Sequence, residues 1–352
     1  MPSAFAFQSL PRWWPTPIVG AIGGYTASAL HWPLPWMIGA LLAVILVRCL
    51  TPWRIAEITN GRKAGQLVIG IGIGLHFNAQ VIEQIAQHFL LILTAASVTV
   101  LGSIAAVWLL RATGEDRATS FFASMPGGSG EMVNLGARNG AQLSNVAAAQ
   151  SLRVVAVVLC IPALFNHLFS GTASIHHVMP PVSWPWLMAI VPASIMVGWL
   201  WQRLKQPNPW LFGPLLVSAV ASIGAGLHIG MPIGSSQLGQ LLIGAGLGCY
   251  FDRAFFRRAP RFLLQTMLGT ASMVLIASGF AWLLSLYSEL DLPSLTLSMM
   301  PGGIAEMSLT AEALSMSVPL VTAVQVLRLL IVLFCAEPLF RWWQRRYPEC
   351  TS

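Results

Sequence analysis

Pro126-Gly127-Gly128-Ser129-Gly130-Glu131-Met132 and Pro301-Gly302-Gly303-Ile304-Ala305-Glu306-Met307 spell one pattern twice, 175 residues apart, inside otherwise apolar sequence. The spacing persists on both sides. Pro35-Trp36-x-x-Gly39-x-Leu41-Leu42 returns as Pro209-Trp210-x-x-Gly213-x-Leu215-Leu216. Gly65-Gln66-Leu67 with Ile69, Gly70, Gly72 and Gly74 returns as Gly239-Gln240-Leu241 with Ile243, Gly244, Gly246 and Gly248, each pair 174 apart. After the Pro-Gly-Gly element, Gln150-x-Leu152-Arg153 matches Gln325-x-Leu327-Arg328 at 175. A period this long describes two homologous halves rather than a solenoid of short units.

Composition narrows the class. The chain is 56% hydrophobic and 9% charged, with a mean hydropathy of +0.71, whereas soluble domains carry roughly 25% charged residues. This is the composition of a polytopic membrane protein. The net charge of +7 does not form a basic helix or arm, so nucleic acid is not an expected partner. The partner composition does imply is the lipid bilayer. Cys49, Cys160, Cys249, Cys335 and Cys350 have no C-x-x-C spacing and suggest neither a disulfide framework nor a zinc site. The seven histidines are dispersed apart from His176-His177, and adjacent residues do not share a helix face, so no metal site is expected. No phosphate-binding loop or nucleophile motif occurs, and neither a cofactor nor an enzymatic activity is expected.

About 20 apolar residues cross a bilayer. Five spans are predicted per half: 17–31, 34–51, 64–77, 88–111 and 144–169, then 186–201, 209–228, 238–250, 261–287 and 318–340. Ala27-Ser28-Ala29 imitates a signal-peptide cleavage site, but the counterpart of the first segment is internal, so the first is read as retained. Arginine and lysine fall on one side of this arrangement: Arg12; Arg48, Arg54, Arg62 and Lys63; Arg111 and Arg117; Arg203 and Lys205; Arg253, Arg257, Arg258 and Arg261; and Arg341, Arg345 and Arg346. The loops 167–185, 229–237 and 287–291 have none. Positive charge marks the cytoplasmic side. The expectation is therefore a cytoplasmic segment 1–16, transmembrane repeat 17–169, periplasmic linker 170–185, transmembrane repeat 186–340 and cytoplasmic tail 341–352, in a bacterial inner membrane. An odd number of spans per half inverts the second copy relative to the first, as in many transporters.

The eight residues from Ala118 to Met125 before the first Pro-Gly-Gly make a limb of about 12 Å, under half a bilayer core. Each element is expected to be a re-entrant hairpin or broken helix. Counting 118–138 as a full span would put Arg203 and Lys205 on the wrong side. Proline removes a backbone donor and glycine relaxes the chain, so the tips Pro126, Gly127, Gly128 and Pro301, Gly302, Gly303 survive only in protein or beside water.

Ionisable groups close to these tips are the candidates. Glu131 and Glu306 start the return limbs, and Arg153 and Arg328 lie near mid-depth of the next span, where charge is costly. The plain alternative to a functional role is two structural ion pairs between these acids and arginines. Gln150 and Gln325 precede the arginines by three positions, on the same helix face, and either orient them or bind substrate. Ser129 and Asn134 correspond to Ile304 and Leu309, so the first hairpin is the more polar and the stronger candidate for selecting a ligand. Gln66 and Gln240 are weaker candidates, whose plainer role is interhelical hydrogen bonding. Tryptophans at span ends fit an interfacial belt.

On the duplicated Pro-Trp-x-x-Gly-x-Leu-Leu, Gly-Gln-Leu and Pro-Gly-Gly-x-x-Glu-Met motifs, the whole chain resembles the AbrB membrane-protein duplication family of bacteria. Members carry labels as regulators or ammonia monooxygenases, and the family is distantly similar to inverted-repeat antiporters and anion transporters. The resemblance implies transport without naming the cargo. A direct DNA-binding role lacks any soluble module, and an ammonia oxidase lacks a clustered metal site. The expectation is a secondary transporter of a small polar metabolite or ion working by alternating access, with Glu131 or Glu306 carrying any coupled proton. The competing expectation is a membrane-embedded sensor that affects gene expression indirectly. Substrate charge and homo-oligomerisation stay open.

Overall fold

A computed structural model describes residues 13–51, 53, 55–169, 181–253, 255 and 260–346. Residues 1–12 with Arg12, Arg54, most of the 170–185 linker with His176 and His177, Arg257, Arg258, and the end of the 341–352 tail with Cys350 lie outside the described residues. Among the described residues the chain forms fifteen helices and no strand. The first half contains α1 (Pro15–Ala29), α2 (Pro35–Leu50), α3 (Gly61–Leu75), α4 (Ala79–Gln87), α5 (Phe89–Arg111), α6 (Arg117–Ser124), α7 (Ser129–Arg138) and α8 (Leu143–Phe169). The second contains α9 (Trp184–Arg203), α10 (Pro209–Ala225), α11 (Ser235–Gly248), α12 (Pro260–Ser285), α13 (Leu292–Ser298), α14 (Ile304–Ala313) and α15 (Val318–Arg346).

Each of the ten expected spans coincides with one helix. Five, α5, α8, α9, α12 and α15, are long and apolar enough to cross a membrane, which makes this a multi-pass membrane protein by helix length and composition. The others are shorter: α3 has 15 residues and α11 has 14, about 22 Å of helix against a core of about 30 Å. One element was not foreseen. Residues 79–87, between two of the expected spans, form α4, bent by 83° from α3. The Asn78 side chain accepts a hydrogen bond from the Val81 amide at 2.8 Å, an N-cap that starts a helix in the new direction.

Packing sorts the helices into two bundles. In one, α1 lies on α2, α9 on α10, α2 on α11 and α10 on α3; in the other, α5, α8, α12 and α15 surround the short helices α6, α7, α13 and α14. The repeated glycines explain the first bundle. A Cβ on Gly244 would lie 2.2 Å from the Met37 carbonyl oxygen, and one on Gly70 would lie 2.6 Å from that of Leu211. Met37 and Leu211 are themselves equivalent positions. The same backbone-to-backbone approach is thus made twice with the halves exchanged, and only glycine permits it. The bundles meet where α14 and α15 pack on α3 and where α15 packs on α4.

Candidate functional site

The site is built from the two short-helix pairs upward. Asp116 caps α6, accepting from the Thr119 amide at 2.7 Å, and Asp291 caps α13, accepting from the Ser294 amide at 2.9 Å. The hydroxyls of those capped residues then accept the amides of Gln142 at 2.7 Å and Ser317 at 2.9 Å. Each pair is therefore pinned at its base to the following long helix. At the tips, Pro126 and Pro301 cannot donate to the preceding turn, so α6 and α13 stop there. Met125, before its proline, is extended at ψ 130°. The chain restarts as helix at Ser129 and Ile304.

Stopping a helix leaves its last carbonyls without partners. Carbonyls at the helix ends and in the breaks that follow them, and not the glutamates, take up the arginines. Arg153 Nη1 donates to the carbonyls of Ser124 at 3.2 Å and Met125 at 3.0 Å. Arg328 donates from Nη1 to Met300 and from Nη2 to Gly302, both at 2.7 Å. The Glu–Arg ion pairs considered as the plain alternative are absent among the described ion pairs. The physical reason is position. The negative ends of α6 and α13 lie at the arginines, while the acids sit in the first turns of α7 and α14, at positive helix ends.

The glutamines share this anchoring. Gln150 Nε2 donates to the carbonyls of Phe122 at 2.8 Å, Ala123 at 3.3 Å and Met125 at 3.0 Å, and its Oε1 accepts from Arg153 Nη2. Gln325 Nε2 donates to Ser298 and Met300, both at 3.0 Å, but its Oε1 has no partner. Gln150 is thus bonded to its arginine as well as to the helix end, whereas Gln325 and Arg328 share the Met300 carbonyl as acceptor.

Between the tips lies a cavity of ≈ 80 Å³. It is lined by Gly127, Gly128 and Ser129 from one break and Gly302, Gly303 and Ile304 from the other, together with Pro126, Arg153, Arg328 and Glu306. Two segments 175 residues apart thus face one space. Pro301, Asn134, Glu131, Gln150 and Gln325 do not line it. Asn134 is exposed on the outer side of α7, and Glu131 is half-buried. The cavity also takes Gln66, a weak candidate, and Arg62, Asn208 and Tyr250, which the sequence reading missed as site residues. Arg62 entered it only as a topology charge. Its Nη1 donates to the Tyr250 hydroxyl at 2.8 Å, across the α3–α11 contact.

A second cavity, ≈ 350 Å³, lies at the other end of α3 and α14. The central cavity is lined by the starts of these helices, Arg62 and Gln66 against Ile304, Ala305 and Glu306. The second is lined by their ends, Leu75 and His76 against Leu309, Glu312 and Ala313, and also by Gln240. The α3–α14 contact stands between the two spaces. No comparable packing of α7 on α11 occurs among the described residues. Accordingly every residue from Ile304 to Ala311 is buried, whereas α7 buries only Met132, Leu135 and Gly136. Among the described residues no group of three or more histidine, cysteine, aspartate or glutamate side chains is placed to hold a metal ion.

Comparison with known proteins matches most of the chain. Residues 36–344 match the family model AbrB, described as "Transition state regulatory protein AbrB". The chain is 25% identical to "Uncharacterized protein YhjN" of Bacillus subtilis (strain 168), over 92% of this chain and 91% of that one. It is 27% identical to "Putative regulator AbrB" of Escherichia coli (strain K12), over 91% of this chain and 93% of that one.

Proposed function

The chain belongs to the AbrB family, and on that premise we propose that it is a secondary transporter of a small polar metabolite or ion, working by alternating access in a bacterial inner membrane. In this reading the halves are inverted repeats, the pairs α6–α7 and α13–α14 are re-entrant hairpins, and both termini are cytoplasmic. The observation that carries the reading is the pair of cavities at opposite ends of the α3–α14 contact. A binding space closed on one side by one hairpin, with the equivalent hairpin undocked, is one of two related states. The other has α7 docked on α11 and α14 released from α3. Exchange of contacts between duplicated halves, as made by Gly70 and Gly244, supports two such arrangements of similar energy. Glu306, inside the cavity, is the better placed of the two acids to carry a coupled proton.

The name of the Escherichia coli relative, "Putative regulator AbrB", favours a second reading, a membrane-embedded sensor that binds its ligand in the same cavity and regulates expression indirectly. Accessibility separates the two. Ser129→Cys in a cysteine-free background would be probed with a membrane-impermeant maleimide in right-side-out and inside-out vesicles. Alternating access predicts reaction from both faces. Reaction from one face only, under all conditions, would leave a fixed pocket and favour the sensor.

A further inference from the structure

We infer that the central cavity binds a small anion, its charged group a carboxylate or an inorganic group of similar size, held between the starts of α7 and α14. The inference deepens the proposed transport reading by naming the chemical class of the substrate. It begins from charge. Arg62, Arg153 and Arg328 line the cavity against one carboxylate, Glu306. Counting Glu131 as well, three guanidinium groups meet two acids.

Burial makes that excess matter. Arg153 and Arg328 are each 4% exposed, and their described acceptors are carbonyl and amide oxygens. Neutral oxygens satisfy N–H groups without cancelling the charge, and an uncancelled charge in a poorly polarisable interior attracts a counter-ion strongly. Each arginine also keeps its Nε–H without a partner.

The second contribution comes from the backbone. The first turns of α7 and α14, ten residues each, open on the cavity, and neither Gly128 nor Gly303 supplies a side-chain cap. Helix starts of this kind receive anions. Each helix partly meets the demand itself. Glu131 folds back so far that a Cβ on Gly128 would lie 1.9 Å from its Oε2, and Glu306 does the same at Gly303, at 2.0 Å. Each acid thus lies against its own helix start, and the unpartnered Nε–H groups of Arg153 and Arg328 remain for the ligand. Ser129 and Gln66 supply neutral hydrogen-bonding groups beside them.

The test is a thermal-shift titration of the purified full-length protein with sodium acetate, pyruvate, succinate and phosphate, against acetamide and methylammonium as neutral and cationic probes of like size. The expected result is saturable stabilisation by at least one anion and none by acetamide or methylammonium. Arg62→Gln and Ser129→Ala, which leave the carbonyl anchors intact, should weaken anion binding, the first by roughly tenfold as one charge-assisted contact is lost. Stabilisation by methylammonium or acetamide equal to that by the anions, no stabilisation by any anion, or an anion effect unchanged in both variants would overturn the assignment. Flux in proteoliposomes separates the two readings. Anion binding without flux removes transport and leaves the anion site, whereas flux of a cation without anion binding does the reverse.

Discussion

The two hairpins are anchored alike and faced differently. In both, an aspartate caps the incoming helix, a hydroxyl ties its first turn to the following long helix, and a Gln–Arg pair on that helix takes the carbonyls where it stops. What they do with their outer faces has diverged. α14 is buried from Ile304 to Ala311 and packs on α3, while α7 carries Asn134 exposed and is largely open. Duplicated contacts therefore report what either short-helix pair needs in order to hold its break. Diverged ones report what each hairpin is for.

The strongest way to break this comparison is at the shared anchor. Arg153→Met and Arg328→Met should each cost about 3–5 kcal/mol, since each removes at least two charge-assisted hydrogen bonds and strands one buried carbonyl, that of Ser124 or Gly302, while the carbonyls of Met125 and Met300 keep their glutamines. Thermal denaturation in detergent would show similar losses for both. A mild effect in one half only would mean that the anchors are not equivalent. Next in size is an exchange of faces. Leu309→Asn places an amide where a buried leucine stood and should cost about 3 kcal/mol, loosening α14 from α3. Asn134→Leu, at the equivalent exposed position, should stay within about 0.5 kcal/mol. Equal effects on Tm would remove the docking asymmetry.

The glutamines sharpen the comparison further. Gln150→Ala should cost about 2 kcal/mol and Gln325→Ala about 1, because Gln150 bonds its arginine and Gln325 Oε1 bonds nothing. Urea-free thermal melts of the two variants side by side decide it, and the reverse order would contradict the bonding described. The smallest effect belongs to the caps. Asp116→Ala and Asp291→Ala should each lose about 1 kcal/mol, the first slightly more, since Asp116 also accepts from the Thr119 hydroxyl at 2.6 Å. Amide exchange at Thr119 and Ser294 would register the loss of each cap locally.

For transport, the same asymmetry predicts that Glu306→Gln impairs flux far more than Glu131→Gln, because only Glu306 lines the cavity, where it is 7% exposed. Uptake into proteoliposomes measures both. Equal loss in the two variants would restore Glu131 to the site.

Much of this was legible in the chain. The duplication, the ten helical segments and the two breaks follow from apolar length, from charge on alternate loops, and from proline and glycine at fixed offsets, all of which act within a few turns of helix. The equivalence of Asp116 with Asp291 and of Thr119 with Ser294 was also there to be read from the 175-residue offset, although short polar residues in a loop give no signal of their own. Arg62 looked like a topology charge because its partner Tyr250 comes from the other half.

The arginine partners were not legible. A buried guanidinium donates to carboxylate or carbonyl oxygen equally well in sequence terms, and only the fold brings the carbonyls at the two breaks to Arg153 and Arg328 while holding Glu131 and Glu306 in the first turns of α7 and α14. The choice of α14 rather than α7 as the docked hairpin is of the same kind. Local pattern determines which segments are helices and where they break. Which of two duplicated surfaces is covered depends on the packing of segments more than a hundred residues apart, and only the tertiary structure decides that.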